Sequence, residues 1–108
     1  MPTVFITAPP DDADRLATLL VEDRLAACVN RLPCTSTYRW DGEIHEDEEV
    51  ILLAKTTADA YDALVRRVVA EHPHDVPCIE RFEEEAVLGA FESWRAEEVR
   101  DSSDTGST

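Results

Sequence analysis

The stretch YRWDGEIHEDEEVILLAKT, residues 38–56, determines how this chain folds. At its centre, Asp41-Gly42 readily adopts the positive φ angles of a type I′ turn, the tight connection between two antiparallel strands. We therefore expect the strand that ends at Trp40 to pair with a strand that runs from Glu49 to Thr56. The apolar run from Val50 to Ala54 predicts that this second strand is buried on both of its faces.

The chain before this hairpin begins with a strand and a helix. The β-branched and aromatic run Thr3–Thr7 predicts a strand, which the following Pro9-Pro10 ends. A helix that runs to about Leu25 is predicted next, because apolar residues recur at helical spacing and acidic residues at its start complement the helix dipole. Its apolar positions are Ala13, Leu16, Ala17 and Leu20.

Two short strand-like pieces, Cys28–Asn30 and Ser36–Trp40, lie between this helix and the turn. Pro33 separates them, and a proline inside a strand indicates either a bulge or an edge position. The sequence therefore predicts that the first arm of the hairpin is bulged or lies at the edge of a sheet.

The chain after the hairpin predicts a helix, a strand and a further helix. Thr56 is a suitable N-cap for a helix over residues 57–71, and Pro73 prevents its continuation. Residues 78–82 alternate as a fourth strand, and apolar residues at helical spacing indicate an amphipathic terminal helix. Those residues are Val87, Ala90, Phe91 and Trp94. The order β-α-β-β-α-β plus a helix predicts an α+β, ferredoxin-like fold, with helices covering one face of an antiparallel sheet.

Composition limits the architecture and the partners. The 108 residues suit one domain, predicted over residues 1–100, and the tail over residues 101–108 is predicted to be disordered. The net charge of -14 repels phosphate and anionic lipid, which argues against nucleic acid as a partner. Because no apolar run is long enough to span a bilayer and no export signal is recognisable, we expect no membrane association.

The cysteine and lysine contents indicate the redox state and the salt content of the compartment in which the protein works. Three cysteines without a Cys-x-x-Cys pair argue against a disulfide framework and favour a reducing cytoplasm. Nine of the ten basic residues are arginines, and together with the excess of carboxylates this resembles the acidic proteins of salt-accumulating archaea. Because salt screens self-repulsion, we expect the stability of the protein to rise with salt concentration.

Four blocks of the sequence together resemble the CutA divalent-cation-tolerance family. They keep the family's order and spacing, and the similarity extends over about residues 3–95. The blocks are Leu25–Asn30, Tyr38–Ile44, Glu49 with Leu52–Thr56, and His72–Pro77. The resemblance implies a homotrimer in which long hairpin strands pair across subunits to form intersubunit sheets. It also implies a role in the tolerance of copper and other divalent cations.

The resemblance and the ligand chemistry together suggest a metal site. Thiol and imidazole groups suit copper or zinc, so Cys28, His72 and His74 are candidate ligands, and Cys78 would complete the set. Members of the family usually carry Tyr in place of His74 and Glu in place of Cys78, so a site there is particular to this chain. Two structural alternatives stand beside ligation: Cys28 as a buried apolar side chain, and His72 as a charge that stabilises the end of its helix.

Five further residues are candidate ligand or interface positions. They are Lys55, Glu49, Tyr38, Trp40 and Trp94. Lys55, the only lysine, either holds an anionic ligand or forms an ion pair with Glu49 or with a neighbouring subunit. The aromatic residues are expected to pack in the core or where subunits meet. Among the acidic residues of the hairpin, only Glu49 is expected to turn inward.

The sequence contains none of the motifs that mark common catalytic sites, so we expect no enzyme. It lacks a Gly-x-Gly-x-x-Gly loop, a Walker sequence, a His-Glu-x-x-His pair and a nucleophile turn. Two functions remain. One is a trimeric tolerance protein that binds copper or a similar divalent ion. The other is a PII-like trimer that senses a small anionic ligand in the clefts between subunits, with Lys55 as the anchoring charge.

Overall fold

Four strands and three helices follow one another in the computed structural model, which describes residues 1–100. The predicted order, β-α-β-β-α-β with a terminal helix, is confirmed, whereas the tail at 101–108 lies outside the described residues. The elements are β1 (Pro2–Ala8), α1 (Pro10–Glu22), β2 (Cys28–Trp40), β3 (Glu43–Lys55), α2 (Tyr61–Glu71), β4 (Ile79–Glu83) and α3 (Gly89–Glu98).

The four strands form one antiparallel sheet in the order β2-β3-β1-β4, so β2 and β4 are its edges. Side chains alternate between the two faces along each strand. On one face Ile6 of β1 and Leu52 of β3 are fully buried, and they pack with α1 and α2 in a single apolar core. This is the predicted ferredoxin-like α+β fold, with helices covering one face of the sheet.

The other side of the sheet differs, and the prediction that residues 50–54 are buried on both faces is wrong for the single chain. Leu52 and Ala54 are fully buried, but Ile51 and Leu53 keep part of their exposure. The reason is that α1 and α2 both pack on the face to which Leu52 and Ala54 point. We refer to the opposite face, to which Phe5, Ile51 and Leu53 point, as the open face.

The hairpin is longer and more regular than predicted. β2 is one strand whose register runs without interruption from Cys28 opposite Lys55 to Trp40 opposite Glu43, so there is no bulge at Pro33. The other prediction for Pro33, a position in an edge strand, is confirmed, because β2 is the outermost strand on its side of the sheet. An edge strand tolerates a residue that lacks an N–H. The turn has the predicted positive φ angles, 52° at Asp41 and 77° at Gly42.

Part of this hairpin extends beyond the rest of the sheet. β1 ends at Ala8, which pairs with Val50, so β3 has no second neighbour before that position. Residues 34–49 therefore form a two-stranded extension, which we call the ribbon. Its acidic residues from Asp41 to Glu48 are exposed and Glu49 alone is buried, as predicted.

Two helix boundaries differ from the predictions. α1 ends at Glu22 rather than near Leu25, because Arg24 adopts a positive φ of 59° and the Leu25 N–H turns back to donate to the Leu20 carbonyl. α2 begins at Tyr61 rather than at residue 57, and Thr56 is not its cap. The buried Thr56 hydroxyl donates instead to the Leu25 carbonyl at 2.6 Å.

The terminal helix α3 is amphipathic in sequence but does not bury its apolar side within the chain. Leu88 and Trp94 are 76% and 40% exposed, and the buried side chain of α3 is Arg95. Hydrogen bonds from arginines hold the helix in place. The Arg24 guanidinium donates to the carbonyls of Glu97 and Glu98 at 2.6 and 2.9 Å, where a cation complements the helix dipole. None of the described helices has the length and apolar character needed to span a membrane.

Candidate functional site

A cavity of about 800 Å³ lies on the open face, near the base of the ribbon. β1, β2 and β3 form its floor through side chains that point to this face, and the loop 73–78 after α2 forms a wall. The lining side chains that bear on its chemistry are Cys34, Tyr38, Trp40, Glu49, His74 and Cys78. Five of these six, all except Cys34, were candidate positions in the sequence, so the fold brings together much of what the sequence singled out.

His72 fixes the wall of this cavity and does so as a neutral ring. Its Nε2 lies 2.8 Å from the Thr7 carbonyl oxygen, and its Nδ1 lies 3.1 Å from the backbone nitrogen of His74. A carbonyl can only accept and an N–H can only donate, so Nε2 carries the proton and Nδ1 accepts. Both ring nitrogens are thus engaged within the chain, and a metal ion would have to displace one of these bonds to use His72 as a ligand.

His74 and Cys78 are the two candidate ligands that face the cavity. The His74 ring is exposed and its centroid lies 4.9 Å from that of His72. The Cys78 thiol is half-buried, with its sulfur 3.7 Å from a carboxylate oxygen of Glu80. Burial and the charge of Glu80 raise the pKa of Cys78 above its ordinary value. The thiol therefore stays protonated at neutral pH unless a cation draws off its proton.

The structure places Cys28 apart from the other three candidates. Cys28 is the first residue of β2, opposite Lys55, and it is absent from the lining of the cavity. Along the strand it lies six residues from Cys34, which corresponds to about 20 Å. Within residues 1–100 of a single chain, no three His, Cys, Asp or Glu side chains are grouped so that they would hold a metal ion.

Glu49 and Lys55 are also separated. Both belong to β3 and point to the open face, but they are six positions apart along the strand, which again corresponds to about 20 Å. The ion pair between these two residues that the sequence left open is therefore not formed within the chain. Lys55 makes no ion pair in the described part of the molecule, so a pair with a neighbouring subunit stays a prediction.

The three aromatic candidates are also separated in the structure. Tyr38 and Trp40 line the cavity, whereas Trp94 lies on α3 with its ring 5.6 Å from that of Phe91. The Tyr38 hydroxyl donates to Asp47, and its ring stacks on His45 with 5.5 Å between the centroids. The hydrogen bond to Asp47, together with partial desolvation, raises the pKa of Tyr38. The Tyr38 side chain is thus held in place by two residues of the neighbouring strand β3, His45 and Asp47.

Sequence reasoning missed two features of this side of the molecule. Cys34 lies directly opposite Glu49 and lines the cavity, and its position four residues before Tyr38 on one strand face was the signal that could have identified it. The second feature is an ion pair between a buried arginine and a partly buried glutamate. The Arg95 guanidinium, 1% exposed, donates to Glu84 at 2.9 Å, and the Thr3 hydroxyl donates to the same carboxylate oxygen. No local pattern in the sequence indicated that this pair would form.

Comparison with known proteins gives a consistent result. The family model described as CutA1 divalent ion tolerance protein matches residues 2–98. The divalent-cation tolerance protein CutA of Thermus thermophilus is 54% identical over 76 residues, which cover 68% of this chain and 74% of that protein. The protein of the same description from Pyrococcus horikoshii is 35% identical over 98 residues, which cover 90% of this chain and 96% of that protein.

Solved structures agree with the sequence matches. The Thermus thermophilus divalent cation tolerance protein superposes with a TM-score of 0.87 at 44% identity, over 93% of this chain and all of that one. A structure described as the PII-like protein CutA from Nostoc sp. PCC 7120, in apo form, gives a TM-score of 0.90 at 31% identity. That alignment covers 93% of this chain and 98% of the Nostoc chain.

Proposed function

Because the chain belongs to the CutA1 divalent ion tolerance family, we propose that it serves divalent-cation tolerance as a homotrimer that binds copper or a similar divalent ion. The family gives the general role, tolerance of divalent cations. The assembly and the bound ion are our proposals, and no catalytic step is part of them.

The ribbon is the observation that carries the proposal of assembly. A two-stranded hairpin without a third strand or a helix against it is marginally stable in water. Yet residues 34–49 project from the sheet with Trp40 and Ile44 exposed by 49% and 63%. The free edges of β2 and β4 supply unpaired backbone groups to which a strand of another copy could bond. Pairing between copies would cover both the apolar side chains and these edges.

The apolar surface of α3 supports assembly independently. Leu88, at the start of α3, and Trp94, within it, are 76% and 40% exposed in the single chain. Neither of the helices that close the core covers them. A second copy that covers this region would give α3 the apolar contacts that it lacks within its own chain.

For the metal, the support is the pair of donors on the cavity wall. An imidazole from His74 and a thiol from Cys78 suit copper or zinc, and both are accessible from the cavity. Two donors do not complete a coordination shell, so we propose that a neighbouring subunit or water supplies the rest. Cys28 would serve only at a separate position, and His72 only after it released one of its hydrogen bonds.

Calorimetric titration with Zn²⁺ under reducing conditions tests the metal proposal. We expect saturable binding by the wild-type protein and its loss in the double variant His74→Tyr, Cys78→Glu, which restores the residues usual in the family. Cys28→Ala is the matched control, because it removes a thiol on the same sheet face outside the cavity, and it should bind like the wild type. Equal binding by the double variant would rule out this position as the metal site.

The alternative, a PII-like sensor of a small anionic ligand, receives less support from the geometry. Lys55, its proposed anchor, is not among the cavity residues, and the charged groups that line the cavity are the carboxylates of Glu49 and Asp75. These carboxylates repel an anion. Thermal-shift measurements with nucleotides distinguish the two proposals, and we expect no stabilisation.

We further propose that the protein works in a salt-rich cytoplasm, as an acidic member of its family. The support is the net charge of -14 and the use of arginine at nine of ten basic positions. Repulsion among these carboxylates is screened within roughly 3 Å in molar salt. The melting temperature should therefore rise from dilute buffer to molar KCl, and an unchanged value would refute the proposal.

A further inference from the structure

Two opposite charges on the open face have no partner within their own chain. Glu49 is 8% exposed, and within residues 1–100 it accepts no hydrogen bond and forms no ion pair. Lys55, on the same strand and the same face, is partly buried and also forms no ion pair in that part of the chain. Withdrawal of a charge from water is unfavourable unless a counter-charge accompanies it. Both groups therefore need a partner that the single chain does not supply.

The sheet prevents these two side chains from pairing with each other in one copy. Lys55 is fixed between Thr3 of β1 and Cys28 of β2, and its carbonyl accepts a hydrogen bond from the Ala27 N–H at 2.8 Å. Glu49 lies six positions earlier on β3, which corresponds to about 20 Å along the strand. The two side chains together cannot span that distance, so a pair between them has to join two copies.

Lys55 is also the only basic side chain that the described strands present on the open face. The register places the other three basic residues of the strands, Arg31, Arg39 and Arg81, on the helix-covered face. Arg31, for example, donates to Asp14 of α1 at 3.0 Å. Glu49, in turn, is the only buried carboxylate residue of these strands. Copies that meet through their open faces therefore each bring one strand cation and one buried carboxylate.

We propose that Lys55 of one copy pairs with Glu49 of the neighbouring copy in the assembled protein. The pair presupposes the proposed trimer and adds a specific contact to it. The Glu49 oxygens can be reached from outside the chain, because the fully enclosed unpaired side-chain atoms of the described residues are Glu84 Oε2 and Arg95 Nε. A lysine suits such a recessed position, since its ammonium is compact and its four-carbon stem is flexible.

The pair also accounts for a closed assembly. Each copy contributes one ammonium and one carboxylate at positions about 20 Å apart on the strand. A ring of copies that contact one another head to tail uses every one of these groups, whereas an open chain of copies leaves one of each kind unpaired at its ends. The pair would thus favour the closed trimer over longer polymers.

A double-mutant cycle on the assembly measures the pair directly. Glu49→Gln, Lys55→Met and the double variant are compared with the wild type by sedimentation over a dilution series. Salt is held constant, with urea at a level where the wild-type trimer dissociates measurably. Each single variant leaves one charge without its partner and should raise the concentration of half-assembly at least about tenfold. In the Glu49→Gln background, Lys55→Met should cost little more. Losses that simply add would overturn the proposal.

The effect should be confined to the assembly. Because the pair lies between copies, the separated chains of both single variants should unfold like the separated wild-type chain. Matched controls are Glu22→Gln and Arg66→Met, which make the same changes of charge at exposed positions of α1 and α2. Both controls should assemble like the wild type.

Reversal of the charges separates specific pairing from a general loss of packing. Lys55→Glu alone should abolish the trimer, because two carboxylates would then meet at every interface. Glu49→Lys combined with Lys55→Glu restores the pair in the opposite sense and should assemble again. A folded double variant that remains monomeric contradicts the pair, and the neutral cycle decides the matter if that variant does not fold.

The two proposals fail in different ways. A wild-type protein that is monomeric would overturn the trimer and the pair together. A trimeric wild type whose Glu49 and Lys55 variants assemble like the two controls would overturn the pair alone.

Discussion

The two faces of the sheet differ in how completely the single chain covers them. On the helix-covered face, Ile6, Leu52 and Leu64 are fully buried and the core is complete within one chain. On the open face, aromatic side chains and a buried carboxylate surround a cavity, and the ribbon extends past the last supporting strand. The same four strands thus carry a closed core on one side and an incomplete surface on the other.

This difference assigns separate roles to alternate residues of one strand. In β3, Leu52 serves the stability of the single chain, whereas Glu49 and Ile51 face the cavity. A substitution on the covered face should therefore act on folding alone. A substitution on the open face should act on assembly or binding.

The largest expected effect is that of Leu52→Ala. Removal of a fully buried leucine from the closed core should lower the free energy of unfolding by roughly 2–5 kcal/mol, through lost burial and the cavity left behind. Leu32→Ala, on the open face at 44% exposure, is the control and should cost much less in denaturant titrations at low protein concentration. Equal losses at the two positions would show that the faces do not differ as described.

Glu84→Gln has the next largest expected effect and tests the contrast between Glu84, which is paired, and Glu49, which has no partner in the chain. It leaves Arg95 buried without its counter-ion and should lower the free energy of unfolding by about 2–3 kcal/mol. Glu49→Gln removes a charge that has no partner in the chain, so it should cost little or should stabilise the fold. Chemical denaturation of both variants measures the difference, and a larger loss at Glu49 would contradict the assignment of partners.

The same ion pair predicts a dependence on pH. Although burial opposes it, hydrogen bonds from Thr3 and Arg95 hold the pKa of Glu84 below its ordinary value of 4.5. A carboxyl group with a lowered pKa stabilises the fold above 4.5, and that contribution is lost as the pH falls through the folded-state value. The stability difference between the wild type and Glu84→Gln should accordingly be full at pH 7 and shrink in acid. A constant difference would exclude the ionised pair as its source.

The smallest effect concerns the turn that carries the ribbon. Gly42 has a φ of 77°, and an alanine there should cost about 1–2 kcal/mol although no atom would clash with its Cβ. Gly89→Ala is the matched control, because Gly89 has equal space and no positive φ, and it should leave stability unchanged or slightly raised. Thermal unfolding of both variants tests whether the turn conformation matters.

Sequence patterns predicted the covered face better than the open one. The helical spacing of Leu16 and Leu20 and the Asp41-Gly42 turn reflect local chemistry, and the corresponding elements formed as expected. The boundary of α2 was wrong because Thr56 bonds to the distant Leu25 carbonyl, a tertiary contact that no window of sequence contains. Short-range patterns decide the elements, and long-range hydrogen bonds decide where they end.

The contacts within the candidate site were harder to predict, because they too depend on residues that are distant in the sequence. Glu49 was expected to turn inward and does so, but its lack of a partner depends on what the register places around it. The two engaged nitrogens of His72 follow from contacts with Thr7 and His74 that appear only in the folded chain. The pair Arg95 and Glu84 escaped prediction because charged residues at the end of an acidic chain give no sign of burial.

The molar mass in solution tests most directly the claim that the open face and the ribbon are completed by other copies. Analytical ultracentrifugation in molar KCl should give three times the 12.1 kDa of one chain. Trp40→Glu, on the ribbon, should reduce that mass, whereas Val69→Glu, on the exposed side of α2, should not. A wild-type mass of 12.1 kDa at micromolar concentration would contradict the account.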